Sequence, residues 1–160
     1  MGREPRRCQT VRMSYLVRFA ASAADMDAGY ALRHSVFEIE QKIPRPLDRD
    51  PFDLNADHVV AFDDAGRCIG TGRAVRMDSR TCQIGRMAVA PDHRRKGVGA
   101  LVLEALERMA SLRGLRDLFL LCQIPAIPFY ERHGYVKDGE QFLEHGVPHV
   151  IMRKQLAEMH

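Results

Sequence analysis

No stretch of roughly 18 apolar residues occurs in the chain, which excludes a membrane-spanning helix. Nor does any pair of its four cysteines, Cys8, Cys68, Cys82 and Cys122, form a C-x-x-C motif. A zinc site or a disulfide framework needs closer clustering or paired histidines, so neither is expected, and no metal with them. Three of these cysteines fall in apolar strand-like runs, where Cys behaves as a small hydrophobe. A reducing, cytoplasmic compartment is the expectation. Charge of one sign is also scarce. The net +3 is modest, and much of the excess sits in Arg3, Arg6, Arg7 and Arg12, which argues against a nucleic-acid partner. The opening MGREPRRCQTVR has no apolar core of the kind a secretory signal requires. We expect 1–13 to be a disordered extension, with Met1 and Met13 both candidate starts, and 14–160 to form a single domain. Repeats, low-complexity tracts and linkers are missing as well. What is present is 46% apolar and 28% charged residues over 160 positions, the composition of one globular domain able to bury its own core.

Periodicity then places the elements. YLVRFA (15–20) alternates like a strand, and 25–41 carries apolar residues at helical spacing with Asp25 as a candidate cap. Residues 42–57 hold three prolines and four aspartates without periodicity, which predicts a long loop of solvated, turn-forming Asp residues. HVVAFD (58–63) and RCIGTGRAVRM (67–77) flank the turn Asp64-Ala65-Gly66 as a hairpin. CQIGRMAVA (82–90) is a strand ended by Pro91. Over 98–112, Val98, Leu101, Val102, Ala105, Leu106, Met109 and Leu112 share one helical face. LRDLFLLC (115–122) reads as a strand covered on both faces. AIPFYERHG (126–134) reads as a short helix stopped by Gly134. A closing strand pair turns at His145-Gly146. The order β-α-β-β-β-α-β-α-β-β predicts an α/β (α+β) fold with a mixed sheet and helices on both faces.

The chemistry concentrates where strand 82–90 meets helix 98–112. A helix start leaves N–H groups unpaired and partially positive, and a Ser, Thr, Asp or Asn normally caps it. Here the entry is Arg94-Arg95-Lys96-Gly97-Val98-Gly99-Ala100, with cations and glycines where a capping carboxylate would serve better. That arrangement makes sense if an anion completes it. The glycines admit close backbone approach, and Arg and Lys reinforce bonds to phosphate oxygens. A phosphate or pyrophosphate ligand is implied. G-x-x-x-x-G-K-[ST] is absent, and no third glycine follows Gly99, so neither a P-loop nor a dinucleotide-binding fingerprint fits.

The remaining pattern, a strand followed by Arg-x-x-Gly-x-Gly and a helix (MAVAPDHRRKGVGALVLEALE), resembles motif A of the GNAT superfamily of acyl-CoA-dependent N-acetyltransferases. A common form of the motif has Gly where Arg95 stands. The resemblance implies the GNAT fold, with a mixed, mostly antiparallel sheet of six to seven strands. It implies acetyl-CoA as cosubstrate, its pyrophosphate on the amides of 94–100 and its pantetheine along Met87, Ala88 and Val89. It also implies that a strand bulge frees the Val89 N–H as oxyanion donor. LLCQIPAIPFYERHGYV (120–136) is similar to motif B, which implies that Tyr130 protonates the leaving thiolate and that Gln123 contacts the cofactor, where many relatives carry Asn. LRHSVFEIEQKIP, DLNADHVV and GEQFLEHGVPHVIM resemble the ElaA-like branch. Members of the family often pair, so a homodimer is among the expectations.

Amine attack on a thioester needs a base, because an alkylammonium with a pKa of about 10 is no nucleophile. Glu144 and His149 are favoured as catalytic residues because the branch resemblance falls on them, with Glu40 and His58 also considered. His93 and His145 are expected to be exposed, His133 to sit as a cation at a helix end, and Arg86 to form a salt bridge. The expected activity is acetyl transfer to a primary amine of a small molecule or peptide by direct attack in a ternary complex. A non-catalytic acyl-CoA-binding module is the alternative.

Overall fold

The computed structural model describes residues 14–43 and 49–158. The expected N-terminal extension 1–13, Cys8 and Asp48 lie outside the described residues. Among the described residues, seven strands and three α-helices follow the predicted order: β1 (Leu16–Phe19), α1 (Ala23–Arg33), β2 (Asp57–Phe62), β3 (Cys68–Arg76), β4 (Thr81–Val89), α2 (Val98–Leu112), β5 (Asp117–Gln123), α3 (Ile127–Arg132), β6 (Val136–Glu144) and β7 (Val147–Gln155). They build one sheet in the order β1-β2-β3-β4-β5-β7-β6. Every neighbouring pair is antiparallel except β4 and β5.

Side-chain alternation along β3 sorts the helices. A Cβ on Gly70 would lie 2.7 Å from Val98 Cγ1, and one on Gly72 would lie 2.8 Å from Leu106 Cδ1, so α2 presses on that face. Thr71 points the opposite way. A Cβ on Gly29 of α1 would lie 3.1 Å from the Thr71 hydroxyl, which puts α1 on the other face. The close approach at Gly70 and Gly72 also fixes the rotation of α2. Val98, Val102, Leu103, Leu106 and Ala110 are buried, whereas Leu101 and Leu112, expected on the inner face, are exposed.

α1 does not end at Arg33 but runs on into a π-helical segment, His34–Glu40, that buries Val36 and Phe37. The long loop is less irregular than its sequence suggests. Asp50 caps a 3-10 turn at Pro51–Asn55, taking the Phe52 N–H at 2.9 Å, while Asp53 takes the Asp50 N–H at 2.8 Å. His145 (φ 51°) and Gly146 (φ 76°) make the two-residue turn that pairs Glu144 with Val147 across β6 and β7. Among the described residues, no helix is long and apolar enough to cross a membrane.

Candidate active site

β4 and β5 run side by side only from Thr81–Asp117 to Gln83–Phe119. Beyond that they part. β4 carries one extra residue against β3, since Arg73 pairs with Gly85 and Thr71 with Ala88, and Arg86 adopts φ 50° at the bulge. The strand bends there while β5 continues straight to Gln123, and two cavities open in the gap. One, of about 610 Å³, lies beside Met87, Ala88, Val89 and the start of α2. The other, of about 250 Å³, lies between β4, β5 and the β6–β7 turn. Gln41, Met87, Ala126 and Tyr130 line both, so the cavities meet at these four residues.

The larger cavity receives the uncapped helix start. Gly97 (φ 85°) is the cap residue and supplies no side chain, and Arg95 is also left-handed (φ 60°). The first helical bond runs from the Leu101 N–H to the Gly97 carbonyl at 3.1 Å. The N–H groups of Val98, Gly99 and Ala100 precede it and find no backbone acceptor among the described residues. Arg94, Arg95, Gly97, Val98, Gly99 and Ala100 all border this cavity; Lys96 is exposed and does not. Ala90 donates its N–H to Ile69 at 2.8 Å, so alternation turns the Val89 N–H and carbonyl away from β3, toward the gap. Arg94 Nε donates to that Val89 carbonyl at 3.0 Å, and its Nη2 donates to Glu40 Oε2 at 2.6 Å. The expected bulge therefore exists, but it lies at Arg86–Met87, and the Val89 N–H faces the gap because β5 has diverged.

Tyr130 is buried, edge-on to Phe129 at 4.9 Å and Tyr135 at 5.7 Å between ring centroids. Burial, with Cys122 nearby, pushes its phenol far above the ordinary value of 10.0, so it stays protonated and acts as a donor. Its hydroxyl makes no hydrogen bond among the described residues. Gln123, expected at the cofactor, lines the smaller cavity instead and donates to Gln41 Oε1 at 3.3 Å.

The smaller cavity brings Glu144 and His149 together. His149 Nδ1 lies 2.7 Å from the Val147 carbonyl, its ring stacked on Phe142. A carbonyl only accepts, so Nδ1 carries a proton and Nε2 is the nitrogen left to take up another. The other base candidates are committed elsewhere. Glu40 is held below its ordinary value by its hydrogen bonds to Arg94. His58 accepts from Arg33 at Nδ1 (3.3 Å) and donates from Nε2 to the Asp53 carbonyl (3.0 Å).

Five sequence expectations concern polar and charged groups near this site. His145 is exposed as expected, and His133 does close α3, where its ring meets Phe129. His93 is instead buried against Tyr15, with the Tyr15 hydroxyl 3.0 Å from Nδ1. The acidic loop is not simply solvated. Asp53 is buried and accepts from Arg33 (2.9 Å) and Arg73 (2.8 Å). Asp50 accepts from Arg73 through both oxygens (2.6 and 2.8 Å) and from Arg86 (2.9 Å). Burial pushes the Asp50 carboxyl up, but the Arg73 and Arg86 cations outweigh it and hold it at about 2. The loop thus folds back as a buried ion network behind the smaller cavity, and Arg86 is its salt-bridged member there. A pairing spread over residues 33 to 86 has no local signature, so sequence reasoning missed it.

Residues 34–156 match the family model for the acetyltransferase (GNAT) domain, and the chain belongs to that family of acyltransferases. It is 36% identical to the uncharacterized N-acetyltransferase YjcF of Bacillus subtilis over 80% of this chain and 90% of that protein. Among solved structures, a proposed N-acetyltransferase from Lactobacillus plantarum superposes with a TM-score of 0.83 at 31% identity, covering 90% of this chain and 99% of that one. Escherichia coli ElaA shares the fold at a TM-score of 0.77 and 24% identity, over 89% and 99% of the two chains.

Proposed function

We propose that the protein moves an acetyl group from acetyl-CoA to a primary amine of a small molecule by direct attack within a ternary complex. The observation that carries this reading is the meeting of the two cavities at Met87 and Tyr130. The cosubstrate enters the larger cavity, its pyrophosphate on the N–H groups of Val98, Gly99 and Ala100, with Arg95 adding charge. Arg94 exchanges its bonds to Glu40 and Val89 for the incoming molecule. The thioester then lies at the junction, and the amine approaches from the smaller cavity.

His149 Nε2 or the Glu144 carboxylate takes the ammonium proton. The amine nitrogen bonds to the thioester carbon, and the resulting oxyanion is met by the Val89 N–H. When the C–S bond breaks, the thiolate takes the proton of the Tyr130 hydroxyl, and the second proton of the amine nitrogen restores that hydroxyl, leaving the neutral amide, the free CoA thiol and a protonated base that discharges to solvent. Cys122 borders the smaller cavity, but burial pushes its thiol up to about 11, which disfavours a relay through an acetyl-cysteine. Compartment, metal independence and the absence of a nucleic-acid or membrane partner stay with this reading as proposals.

The test is calorimetry with acetyl-CoA, followed by release of free CoA thiol in the presence of amines. Binding and turnover support the reading. Binding without turnover on any amine leaves the non-catalytic acyl-CoA-binding module, and a folded protein that does not bind acetyl-CoA overturns both.

A further inference from the structure

We propose that Arg86 anchors a carboxylate of the acceptor, so that the substrate is an amine carrying its own acid group, of the amino-acid class. The inference rests on the acetyl-transfer reading and adds the substrate's second charge. Arg86 lines the smaller cavity from the β4 bulge, in a left-handed conformation (φ 50°) that a non-glycine residue adopts only when its surroundings hold it.

Its charge is only partly answered. Among the described residues Arg86 makes one hydrogen bond, from Nη2 to Asp50 Oδ2 at 2.9 Å, and Asp50 already takes two from Arg73. Arg86 Nε is buried with no partner, one of two such side-chain atoms among the described residues. Buried donors in folded proteins are nearly always paired, so the guanidinium is under-satisfied, and its partly exposed remainder borders the cavity. A guanidinium presents its donors as a planar fork that matches a carboxylate.

The rest of the cavity fits the other half of such a ligand. Among the described residues Glu144 supplies the one carboxylate lining it, suited to an ammonium although His145 Nε2 lies 3.4 Å away, while Gln83, Gln123 and His149 supply further polar groups. A volume of about 250 Å³ is of amino-acid scale and too small for a folded partner. A polyamine would set a second cation against Arg86.

The experiment measures kcat/KM with acetyl-CoA for L-amino acids and ω-amino acids, each beside its carboxamide and its decarboxylated amine. Wild type, Arg86→Gln and Arg86→Lys are compared, with thermal melts to confirm folding. We expect the carboxylate form to be preferred by about ten- to a hundredfold, chiefly through KM. Arg86→Gln should erase the preference, chiefly by raising KM for the carboxylate forms, and Arg86→Lys should restore part of it. Equal or better turnover of carboxamides, decarboxylated amines or polyamines by the wild type overturns this inference and leaves acetyl transfer standing, whatever the variants do. An unchanged preference in folded Arg86→Gln overturns it too. Acetyl-CoA binding without turnover of any amine overturns the transfer reading and this inference with it.

Discussion

At the scale of single residues, the assignment divides one proton transfer from another. Tyr130 is pushed up by burial and has nothing to donate to among the described residues, so its proton is reserved for whatever fills the cavity junction. Replacing it with Phe keeps the ring contacts with Phe129 and Tyr135 and deletes only the donor. We expect kcat to fall by about 10²-fold or more with the acetyl-CoA KM little changed, measured by thiol release. His149 and Glu144 are separated by a pair of variants. If His149 Nε2 is the base, His149→Gln lowers kcat by about 10²-fold or more, while Glu144→Gln raises the acceptor KM and leaves kcat less affected. The reverse pattern assigns the base to Glu144. Cys122, pushed up to about 11, and Cys82, to about 12, are almost wholly thiols at neutral pH. Mass spectrometry after incubation with acetyl-CoA alone should therefore show no acetylated protein. The residues that sequence placed best in the fold are those whose setting is local. Gly97 and Gly99 at a helix start, and Tyr130 on a short helix, announce themselves within ten positions. Asp50, Asp53, His58 and His93 do not, because the cations and rings that bury them come from distant strands.

Among the elements, α2 binds both the fold and the site. Its place in the chain, and those of the strands, were legible because apolar spacing and turn residues mark where an element runs and stops. Its rotation was not, since that depends on Gly70 and Gly72 of β3 letting Val98 and Leu106 sink toward the sheet. Gly70→Ala tests the packing. The new methyl would lie 2.7 Å from Val98 Cγ1 and 3.2 Å from Ala61 Cβ, neither of which ends a flexible chain. Overpacking of this kind costs about 1–3 kcal/mol, visible as a Tm lower by several degrees. Gly97→Ala tests the other end of the helix. Nothing lies within 4 Å of the added carbon, but the backbone φ of 85° is strained for any L side chain, by about 1–2 kcal/mol. If the turn relaxes, the N–H groups of Val98, Gly99 and Ala100 lose their aim. Calorimetry should then show acetyl-CoA binding weakened by about tenfold or more, with a melting temperature lowered less than in Gly70→Ala. A binding curve unchanged from wild type would place the pyrophosphate elsewhere.

For the whole molecule, the buried ion network ties the 3-10 turn to α1, β3 and the β4 bulge, and its titration should dominate the acid limb of stability. Asp50 falls from an ordinary 3.8 to about 2 on folding, and Asp53 is also lowered, its burial outweighed by the Asp50 N–H and the Arg73 and Arg33 cations. A carboxyl lowered on folding stabilises the protein fully above its unfolded value and loses that contribution as pH falls through the folded one. Asp50 alone therefore accounts for about 2 kcal/mol, lost between about pH 4 and pH 2. His58 adds a milder effect higher up. Burial, with the Arg33 and Arg73 charges, lowers it from 6.5, so below that pH the unfolded chain takes up a proton that the folded one refuses. Stability falls with pH there as well. Urea unfolding followed from pH 7 to pH 2 should show a shallow slope beginning near 6.5 and a steeper one below 4. His58→Gln should flatten the first and leave the second. Asp50→Asn should be less stable than wild type at neutral pH and converge on it near pH 2, because protonation has by then removed the same charge from the wild type. Parallel curves with a constant gap across this range would mean that Asp50 stabilises the protein by shape alone, and that the cations of Arg73 and Arg86 are neutralised by something other than its carboxylate.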